Sequence, residues 1–425
     1  MHKKGRQQAK KEGGGDPGLL LLLPTTTYRA SAFLRAARRL GIDVVVGSDQ
    51  PQALRAPGKA LALNFLRPES AVADLVDFAG TRPLKAVVGV DDEGVLLAAM
   101  ASEALGLPHN SVASVRAARH KHEMRALLAG AGLPSPGYRV FSTADDPAEV
   151  CEQVSFPCVL KPVFLSASRG VVRADDPAAF VAAFGRIAAI LAEPRTAARG
   201  GPVARMILVE DYIPGGEVAL EGLLVKGDLQ TLALFDKPDP LEGPFFEETL
   251  YITPSRLPED LQAEVERQTG AAARALGLRE GPVHAELRFN DAGVWVVEVA
   301  ARSIGGLCSR ALRFGTGMSL EEVILRHATG LPMRSLRRDR QAAGVMMMPI
   351  PRKGVLREVR GLEAAQQTPL VEDVTITVPL GHEVTPLPEG DRYLGFIFAR
   401  GKSPDAVEEA LREACRRIEV VIEQG

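Results

Sequence analysis

The chain has 425 residues, of which 46% are hydrophobic and 24% are charged, a composition typical of soluble globular proteins. Its 51 basic and 53 acidic residues nearly balance, which argues against nucleic acid or a membrane surface as a partner. Its 4 cysteines show no CxxC motif and no metal-ligand spacing, so we expect free thiols in a reducing, cytoplasmic compartment.

The beginning of the chain combines a basic segment with a short apolar run, as targeting signals do. Met1–Lys11 is basic, and Leu19–Leu23 is an apolar run. That run is far shorter than the core of a signal peptide or a membrane-spanning helix. We therefore expect residues 1–17 to be a disordered leader and Leu19–Leu23 to be a buried strand.

Strand and helix signals alternate between residues 18 and 110. The predicted elements are strands at Gly18–Pro24, Ile42–Val46 and Leu84–Gly89 and helices at Tyr28–Leu40, Ser70–Ala79 and Glu93–Leu105. Short apolar strands that alternate with helices are typical of a parallel sheet with helices on both faces. Thr25-Thr26-Thr27 follows the first strand and can face a ligand at the carboxyl end of the sheet.

Between residues 111 and 335, polar residues stand out from their surroundings. Lys121 opens a helix, and Lys161 is the single lysine of the apolar strand Phe156–Val163. Ser166–Val171 follows as a run of mostly small residues. Lysines supply point charges to phosphate oxygens, and small residues let backbone N–H groups approach them. This order of residues therefore suits the phosphates of a nucleotide.

The segment Pro282–Arg302 is predicted to be a β-hairpin. Asp291-Ala292-Gly293 would form a three-residue loop, with glycine at the left-handed position. That register places Glu286 directly opposite Glu298. Two opposed carboxylates repel, so a divalent cation held between them would explain the pair. A solvated polar face, with Arg288 neutralising one glutamate, remains open as the alternative.

Alternation along the two strands of this hairpin predicts two faces. The core face would consist of Val283, Ala285, Leu287, Phe289, Trp295, Val297 and Val299. The polar face would consist of His284, Glu286, Arg288, Asn290, Val296, Glu298 and Ala300, with Arg302 just beyond.

The region after about residue 340 is predicted to form a third unit. Strands are predicted at Gly344–Pro349, Val374–Val378 and Tyr393–Ala399, and a final helix at Pro404–Val421. Gly401-Lys402-Ser403 looks like the end of a phosphate-binding P-loop, but Phe396 stands where that loop needs glycine. Ser403 as a helix N-cap, with Pro404 at the first helical position, accounts for the same residues.

Six segments in this order resemble the ATP-grasp superfamily, above all its carboxylate–amine ligases of the L-amino-acid ligase type, which make dipeptides. They are residues 91–125, 156–163, 208–222, 235–256, 284–306 and 394–401. The resemblance runs from about residue 18 to the end and implies a mixed α/β (α+β) architecture. Its parts would be an N-terminal parallel α/β domain at 18–110, a two-lobed ATP-grasp domain at 111–335 with its lid lobe at about 140–215, and a small C-terminal α+β domain at 336–425.

The resemblance also implies roles for individual residues. The phosphates of ATP would contact Lys121, Lys161, Lys237 and the lid loop with Ser166, Ser168 and Gly170. The adenine would contact Glu210, Asp211, Tyr212 and Ile213, and the ribose Glu217. Mg²⁺, or Mn²⁺ in its place, would bind Glu286 and Glu298. The substrate carboxylate or acyl phosphate would meet Arg302, Gly305 and Gly306, with Glu248 and His284 nearby.

The implied activity is ATP-dependent joining of a small-molecule carboxylate to an amine, both expected to be amino acids. The reaction would pass through an acyl phosphate and release ADP and phosphate, in a cytoplasmic enzyme that can form a homodimer. Ala300 departs from the family, in which asparagine is common at that position. That departure motivates one alternative, a nucleotide-binding module without turnover. A carboxylase-type or formate-dependent ATP-grasp enzyme resembling biotin carboxylase is a second alternative that remains open.

Overall fold

The computed structural model of the chain describes residues 18–25, 27–49, 60–333 and 335–424. The leader predicted at residues 1–17 lies outside the described residues, as does Thr26 of the threonine run.

The N-terminal unit is a four-stranded parallel sheet with the strand order β3-β2-β1-β4. Its elements are β1 (Gly18–Leu22), α1 (Ala30–Leu40), β2 (Val44–Ser48), β3 (Ala60–Ala62), α2 (Pro68–Thr81), β4 (Leu84–Gly89) and α3 (Asp92–Leu105). Every residue of β1 is buried, as expected for a central strand whose two faces are both covered. The predicted parallel α/β arrangement is confirmed.

Two short helices, α4 (Val112–Arg119) and α5 (Lys121–Gly130), lead from this unit to a four-stranded antiparallel sheet with the order β5-β8-β6-β7. Its elements are β5 (Tyr138–Ser142), α6 (Pro147–Val150), β6 (Cys158–Pro162), β7 (Val172–Ala174), α7 (Pro177–Ala192), α8 (Pro194–Gly200) and β8 (Met206–Asp211). We call this unit the lid lobe. Its apolar core forms where α7 packs on the sheet through Phe180, Phe184 and Ile187.

Within the described residues, no single helix is long and apolar enough to cross a membrane. In the part of the chain that the structure describes, one bent pair of helices, α7 with the segment Pro194–Arg205, meets the requirements of length and composition, and the two are bent by 84° relative to each other.

The centre of the molecule is an eight-stranded antiparallel sheet with the order β13-β12-β9-β10-β11-β14-β18-β16. Its first elements are β9 (Gly216–Val225), β10 (Asp228–Lys237), β11 (Leu250–Thr253), α9 (Glu259–Ala275), β12 (Gly281–Asn290), β13 (Gly293–Ala300) and α10 (Leu320–Thr329). The remaining elements are β14 (Ala342–Met348), β15 (Gly354–Arg360), α11 (Leu362–Gln366), β16 (Val371–Ile376), β17 (Glu383–Val384), β18 (Gly395–Gly401), α12 (Pro404–Arg416) and β19 (Glu419–Glu423). Strands β14, β18 and β16 thus complete a sheet that the preceding region begins.

The last predicted helix is shorter in the structure than we expected. The last helix ends at Arg416 rather than continuing to Val421, and Glu419–Glu423 forms a strand that pairs with β15. The β-branched run Val420-Val421-Ile422 favours a strand once a partner edge is available. The predicted N-cap is confirmed, because the Ser403 hydroxyl accepts a hydrogen bond from the backbone N–H of Ala406 at 3.3 Å.

In the central hairpin, Glu286 and Glu298 pair as predicted, but the loop and the register before them differ from the prediction. Asn290 pairs with Gly293, so the loop has two residues instead of the predicted three. A bulge at Val297 then restores the register, and Glu286 lies opposite Glu298 as predicted. A bulge places two residues of one strand against one of its partner, which moves the alternation of the side chains by one position.

Because of this bulge, the residues of β13 that precede it face the opposite way from the prediction. Val294 and Val296 are buried in the core, whereas Trp295 and Val297, which we expected there, are only partly buried. Beyond the bulge the predicted alternation holds again, and Val299 lies in the core.

The contact between β4 and α3 generates a prediction about stability. A Cβ atom on Gly89 would lie 2.3 Å from the carbonyl carbon of Gly94 and 2.4 Å from the nitrogen of Val95. Both are backbone atoms, so α3 would have to shift. We expect Gly89→Ala to lower the free energy of unfolding by about 1–3 kcal/mol, measured by urea unfolding.

Gly80→Ala is the matched control, because a Cβ atom at this position in α2 meets nothing within 4 Å. This change should stabilise the protein by up to about 1 kcal/mol, since alanine favours the helix over glycine. Equal effects of the two substitutions would contradict the close β4–α3 contact.

Candidate active site

One cavity of about 750 Å³ lies where the N-terminal sheet, the lid lobe and the central sheet meet. The carboxyl ends of β1 and β4 contribute Thr25, Thr27 and Asp91 to its wall. The predicted orientation of the threonine run toward a cavity therefore holds for its two described residues.

The cavity collects nearly all of the residues that the sequence singled out. Those that line it are Lys121, Lys161, Ser166, Ser168, Glu210, Asp211, Tyr212, Ile213, Glu217, Glu248, His284, Glu286, Glu298, Arg302, Gly305 and Gly306. Gly170 and Lys237 do not belong to the wall. The N–H of Gly170 donates to the carbonyl of Pro388 at 2.8 Å, and Lys237 lies buried beneath the surface of the cavity.

A buried carboxylate with two cations forms the lid-lobe side of the cavity. Glu210 is 2% exposed and accepts hydrogen bonds from Lys161 at 2.6 Å and Arg125 at 2.7 Å. Burial alone would raise the pKa of Glu210, but the two cations outweigh it and hold that pKa below its ordinary value. Arg125 was not among the residues predicted from the sequence, although its position four residues after Lys121 places both on one face of α5.

Lys121 connects the lid lobe to the central hairpin. Its ammonium group donates to the carbonyl of Leu165 at 2.8 Å and lies 3.1 Å from the Glu298 carboxylate. Its backbone N–H donates to the carbonyl of Val163 at 2.8 Å. One lysine thus holds the start of the lid loop against a carboxylate of β13.

Lys237 lies among three carboxylates. Its ammonium group is 2.7 Å from Glu217 and 3.4 Å from Glu286, and it donates a short hydrogen bond to Glu248. Burial opposes its charge, but the carboxylates raise the pKa of Lys237 well above its ordinary value. Burial, together with the nearby Glu286, raises the pKa of Glu248 to about 7.

The same three glutamates offer carboxylate oxygens within 4.8 Å of one another, close enough to hold a metal ion. An all-oxygen donor set suits Mg²⁺ or Mn²⁺. Glu286 belongs both to this group and to the opposed pair that the sequence predicted. Glu298 is not a member of this group and forms its ion pair with Lys121.

His284 carries a positive charge next to this cluster. Its ring nitrogens lie 3.3 Å from Glu221 and 3.5 Å from Glu286. Burial would lower the pKa of His284, but the two carboxylates outweigh it and raise the pKa to about 9. Glu221, which the sequence analysis missed, is fully buried and also accepts the backbone N–H of Ile304 at 2.9 Å.

Arg302 reaches the cavity already bound to a carboxylate. Its Nε lies 2.6 Å and its Nη2 3.1 Å from the two oxygens of Asp92, the first residue of α3. Burial would raise the pKa of Asp92, but Arg302 holds it well below its usual range. The sequence did not indicate this partner, because 210 residues separate the two in the chain.

The lid loop is tied to the C-terminal region. Arg169 donates to the carbonyl of Glu389 at 2.8 Å, one residue from the contact between Gly170 and Pro388. The Glu389 side chain binds Arg186 of α7 through both carboxylate oxygens. These contacts join the lid lobe to the segment that carries Asp391 and the other C-terminal residues of the cavity wall.

Three family models match the chain in succession. Residues 34–109 match the ATP-grasp N-terminal domain, residues 154–311 the ATP-grasp domain, and residues 346–423 the L-amino acid ligase C-terminal domain 2. A crystal structure of an L-amino acid ligase from Bacillus licheniformis superposes with a TM-score of 0.82 and 26% identity. That superposition covers 96% of this chain and 99% of the ligase.

Curated relatives include a ligase and a synthase. Alanine–anticapsin ligase of Bacillus subtilis is 27% identical over 271 residues, which is 60% of this chain and 56% of the relative. Carnosine synthase 1 of Gallus gallus is 28% identical over 310 residues, which is 69% of this chain and 33% of the relative. The chain thus spans about half of the first relative's length and a third of the second's.

The charge on His284 predicts a pH-dependent contribution to stability. Its pKa of about 9 in the folded protein exceeds the value of about 6.5 for an unfolded histidine. The stabilisation is therefore complete below pH ~6.5 and is lost as the pH rises through 9. We expect His284→Gln to lower the free energy of unfolding by up to about 3 kcal/mol at pH ~6 and by much less at pH ~10.

Urea unfolding of the ligand-free protein at both pH values measures this difference. The exposed His382 provides the control, and His382→Gln should have little effect at either pH. An equal loss of stability at both pH values would mean that His284 acts through packing and not through its charge.

Proposed function

Since the chain belongs to the ATP-grasp superfamily, as its successive domain matches show, we propose that it is an ATP-dependent carboxylate–amine ligase. ATP phosphorylates a substrate carboxylate, an amine attacks the resulting acyl phosphate, and an amide forms as ADP and phosphate leave. The observation that carries the proposal is the convergence of Lys121, Lys161, Glu286 and Glu298 on one cavity. Both substrates are amino acids, as the similarity to an L-amino acid ligase suggests.

ATP binds between the lid lobe and the central sheet. Lys121 and Lys161 bind the phosphates, because each presents a flexible ammonium group that can move from its present carboxylate to a phosphate oxygen. Glu210 accepts the adenine amino group, and the backbone of Asp211–Ile213 reads the rest of the base. Glu217 holds the ribose hydroxyls.

The carboxylates fit a magnesium site. Glu286 and Glu298 lie opposite each other in the hairpin, and Glu286 also belongs to the three-glutamate group. When bound, Mg²⁺ neutralises charge on the phosphate oxygens during transfer. Lys237 supports this region by neutralising Glu217 and Glu248 from beneath.

The substrates meet on the other side of these carboxylates. Arg302 and the loop with Gly305 and Gly306 receive the substrate carboxylate, and Glu248 lies beside them on the cavity wall. Positioning and charge neutralisation supply most of the catalysis in phosphoryl transfer. The contacts of the lid lobe with the C-terminal segment limit the access of water, which would otherwise hydrolyse the acyl phosphate.

Phosphate release with pairs of amino acids tests this proposal, with mass spectrometry identifying the product. Release that requires two amino acids and yields their dipeptide supports it. Release that requires bicarbonate or formate and no amino acid would favour the carboxylase-type alternative. ATP binding without release under any of these conditions would favour the non-catalytic module.

Glu298→Gln tests the hairpin carboxylates. This change removes one negative charge from the predicted metal site, so phosphate release should be abolished while ADP still binds, though more weakly. Phosphate release and ADP binding by calorimetry are the measurements. Glu409→Gln, at an exposed position of α12, should leave both unchanged. Near-wild-type turnover of Glu298→Gln would rule out the metal role.

Arg302→Lys tests recognition of the acid substrate. Lysine cannot reproduce the planar fork of a guanidinium, so KM for the acid should rise roughly tenfold to a hundredfold while KM for ATP changes little. Steady-state kinetics with each substrate varied in turn provide both values. A fall in kcat with unchanged KM would instead assign Arg302 to the transferred phosphoryl group. A change below about twofold in both parameters would exclude both roles.

A further inference from the structure

A second arginine in the cavity has N–H donors that no described residue accepts, and its guanidinium lies 5.2 Å from the centre of the Phe33 ring. Arg29 precedes α1 and is 2% exposed, yet it belongs to the cavity wall. Its Nη1 donates to the carbonyls of Val90 at 2.9 Å and Ser303 at 3.4 Å, and its Nη2 donates to the Ser303 hydroxyl. Its Nε is buried without any hydrogen-bond partner.

These contacts leave a specific pair of donors unused. A guanidinium has five N–H donors, and the three contacts above leave the Nε–H and one Nη2–H. The two remaining donors belong to adjacent nitrogens on one side of the group, where a carboxylate binds in bidentate fashion. In Arg302 the same side is already occupied by Asp92.

The charge of Arg29 is also poorly compensated. Among the described residues, the one carboxylate within ion-pair reach is that of Asp91, at 4.0 Å, which is too far for a hydrogen bond. Burial of a cation without a hydrogen-bonded counter-ion is costly, which is why such charges are usually paired. The first turn of α1, which follows Arg29, contains no acidic residue that could supply the missing negative charge.

We propose that Arg29 forms a subsite for a substrate carboxylate that does not react, namely the α-carboxylate of the amine substrate. This inference rests on the proposed ligase function and assigns the residue that recognises the amine substrate through its α-carboxylate. The positive N-terminal end of the α1 dipole also attracts a negatively charged carboxylate at Arg29.

The position of Arg29 relative to Arg302 supports this assignment. Both guanidinium groups donate to the carbonyl of Ser303, so they are neighbours on the cavity wall. One carboxylate on each arginine would therefore lie side by side. The α-amine and α-carboxylate of an amino acid share one carbon atom. An amino acid held on Arg29 thus presents its amine toward the acyl group held near Arg302.

Arg29→Gln and Arg29→Lys test the subsite. The first removes the charge, and the second keeps the charge but removes the fork. The probes are an amino acid that the enzyme accepts as its amine and the α-carboxamide of the same amino acid, which keeps the amine and loses the carboxylate charge. The exposed Arg35, on the same helix, provides the control variant Arg35→Gln.

We expect the wild-type enzyme to prefer the amino acid over its carboxamide. Both Arg29 variants should raise KM for the amino acid roughly tenfold to a hundredfold and leave KM for the carboxamide and for ATP within about twofold. Arg35→Gln should behave as the wild type. Thermal unfolding of each variant, with Mg²⁺ and a non-hydrolysable ATP analogue, should show that the amino acid no longer stabilises the Arg29 variants.

Four results would overturn the inference. An equal rise in KM for the amino acid and its carboxamide would mean that Arg29 has a structural role, through its hydrogen bonds to Val90 and Ser303. A rise confined to the acid substrate would place a second carboxylate of that acid on Arg29. Unchanged kinetics in both variants would exclude the subsite and leave the ligase function intact. Absence of phosphate release with every amino acid would overturn the ligase function, and this inference with it.

Discussion

Lys237 lies beneath the cavity with the carboxylates of Glu217, Glu248 and Glu286 around its ammonium group. Three carboxylates this close together would repel one another strongly in a buried site. Lys237 lies within ion-pair distance of all three and offsets this repulsion, together with His284 beside Glu286 and Arg288 beside Glu217. The sheet order β12-β9-β10 places Lys237 directly beside Glu217 on the neighbouring strand. The acidic floor of the cavity therefore depends on the central sheet, and a substitution of Lys237 would affect all three glutamates at once.

Ion pairs between carboxylates and cations also occur along much of the cavity wall. Glu210 holds Lys161, Glu298 holds Lys121, and Asp92 holds Arg302. A ligand that enters must exchange these partners for its own charges, so anionic phosphates and carboxylates are favoured over neutral molecules. Arg29 departs from this pattern, since it retains donors without a partner.

These ion pairs also join the parts of the molecule. Arg302 follows β13 of the central sheet, whereas its partner Asp92 begins a helix of the N-terminal unit. Glu389, near the C-terminal wall, binds Arg186 of the lid lobe. Contacts that join separate units of the chain therefore lie in or next to the wall of the cavity.

The opposition of Glu286 and Glu298 was predicted, but it depends on a shorter loop and a bulge that the sequence did not indicate. The sequence alone determined the alternating strands and helices of the N-terminal unit and the lysine on β6. Each of these follows from local periodicity or from residue order, which act over a few positions. Tertiary structure alone decided the bulge at Val297 and the partners Arg125 and Asp92. A bulge depends on how a strand fits its neighbours, and an ion pair between residues 85 or 210 positions apart depends on how separate units pack together. Neither leaves a periodic signal in the chain.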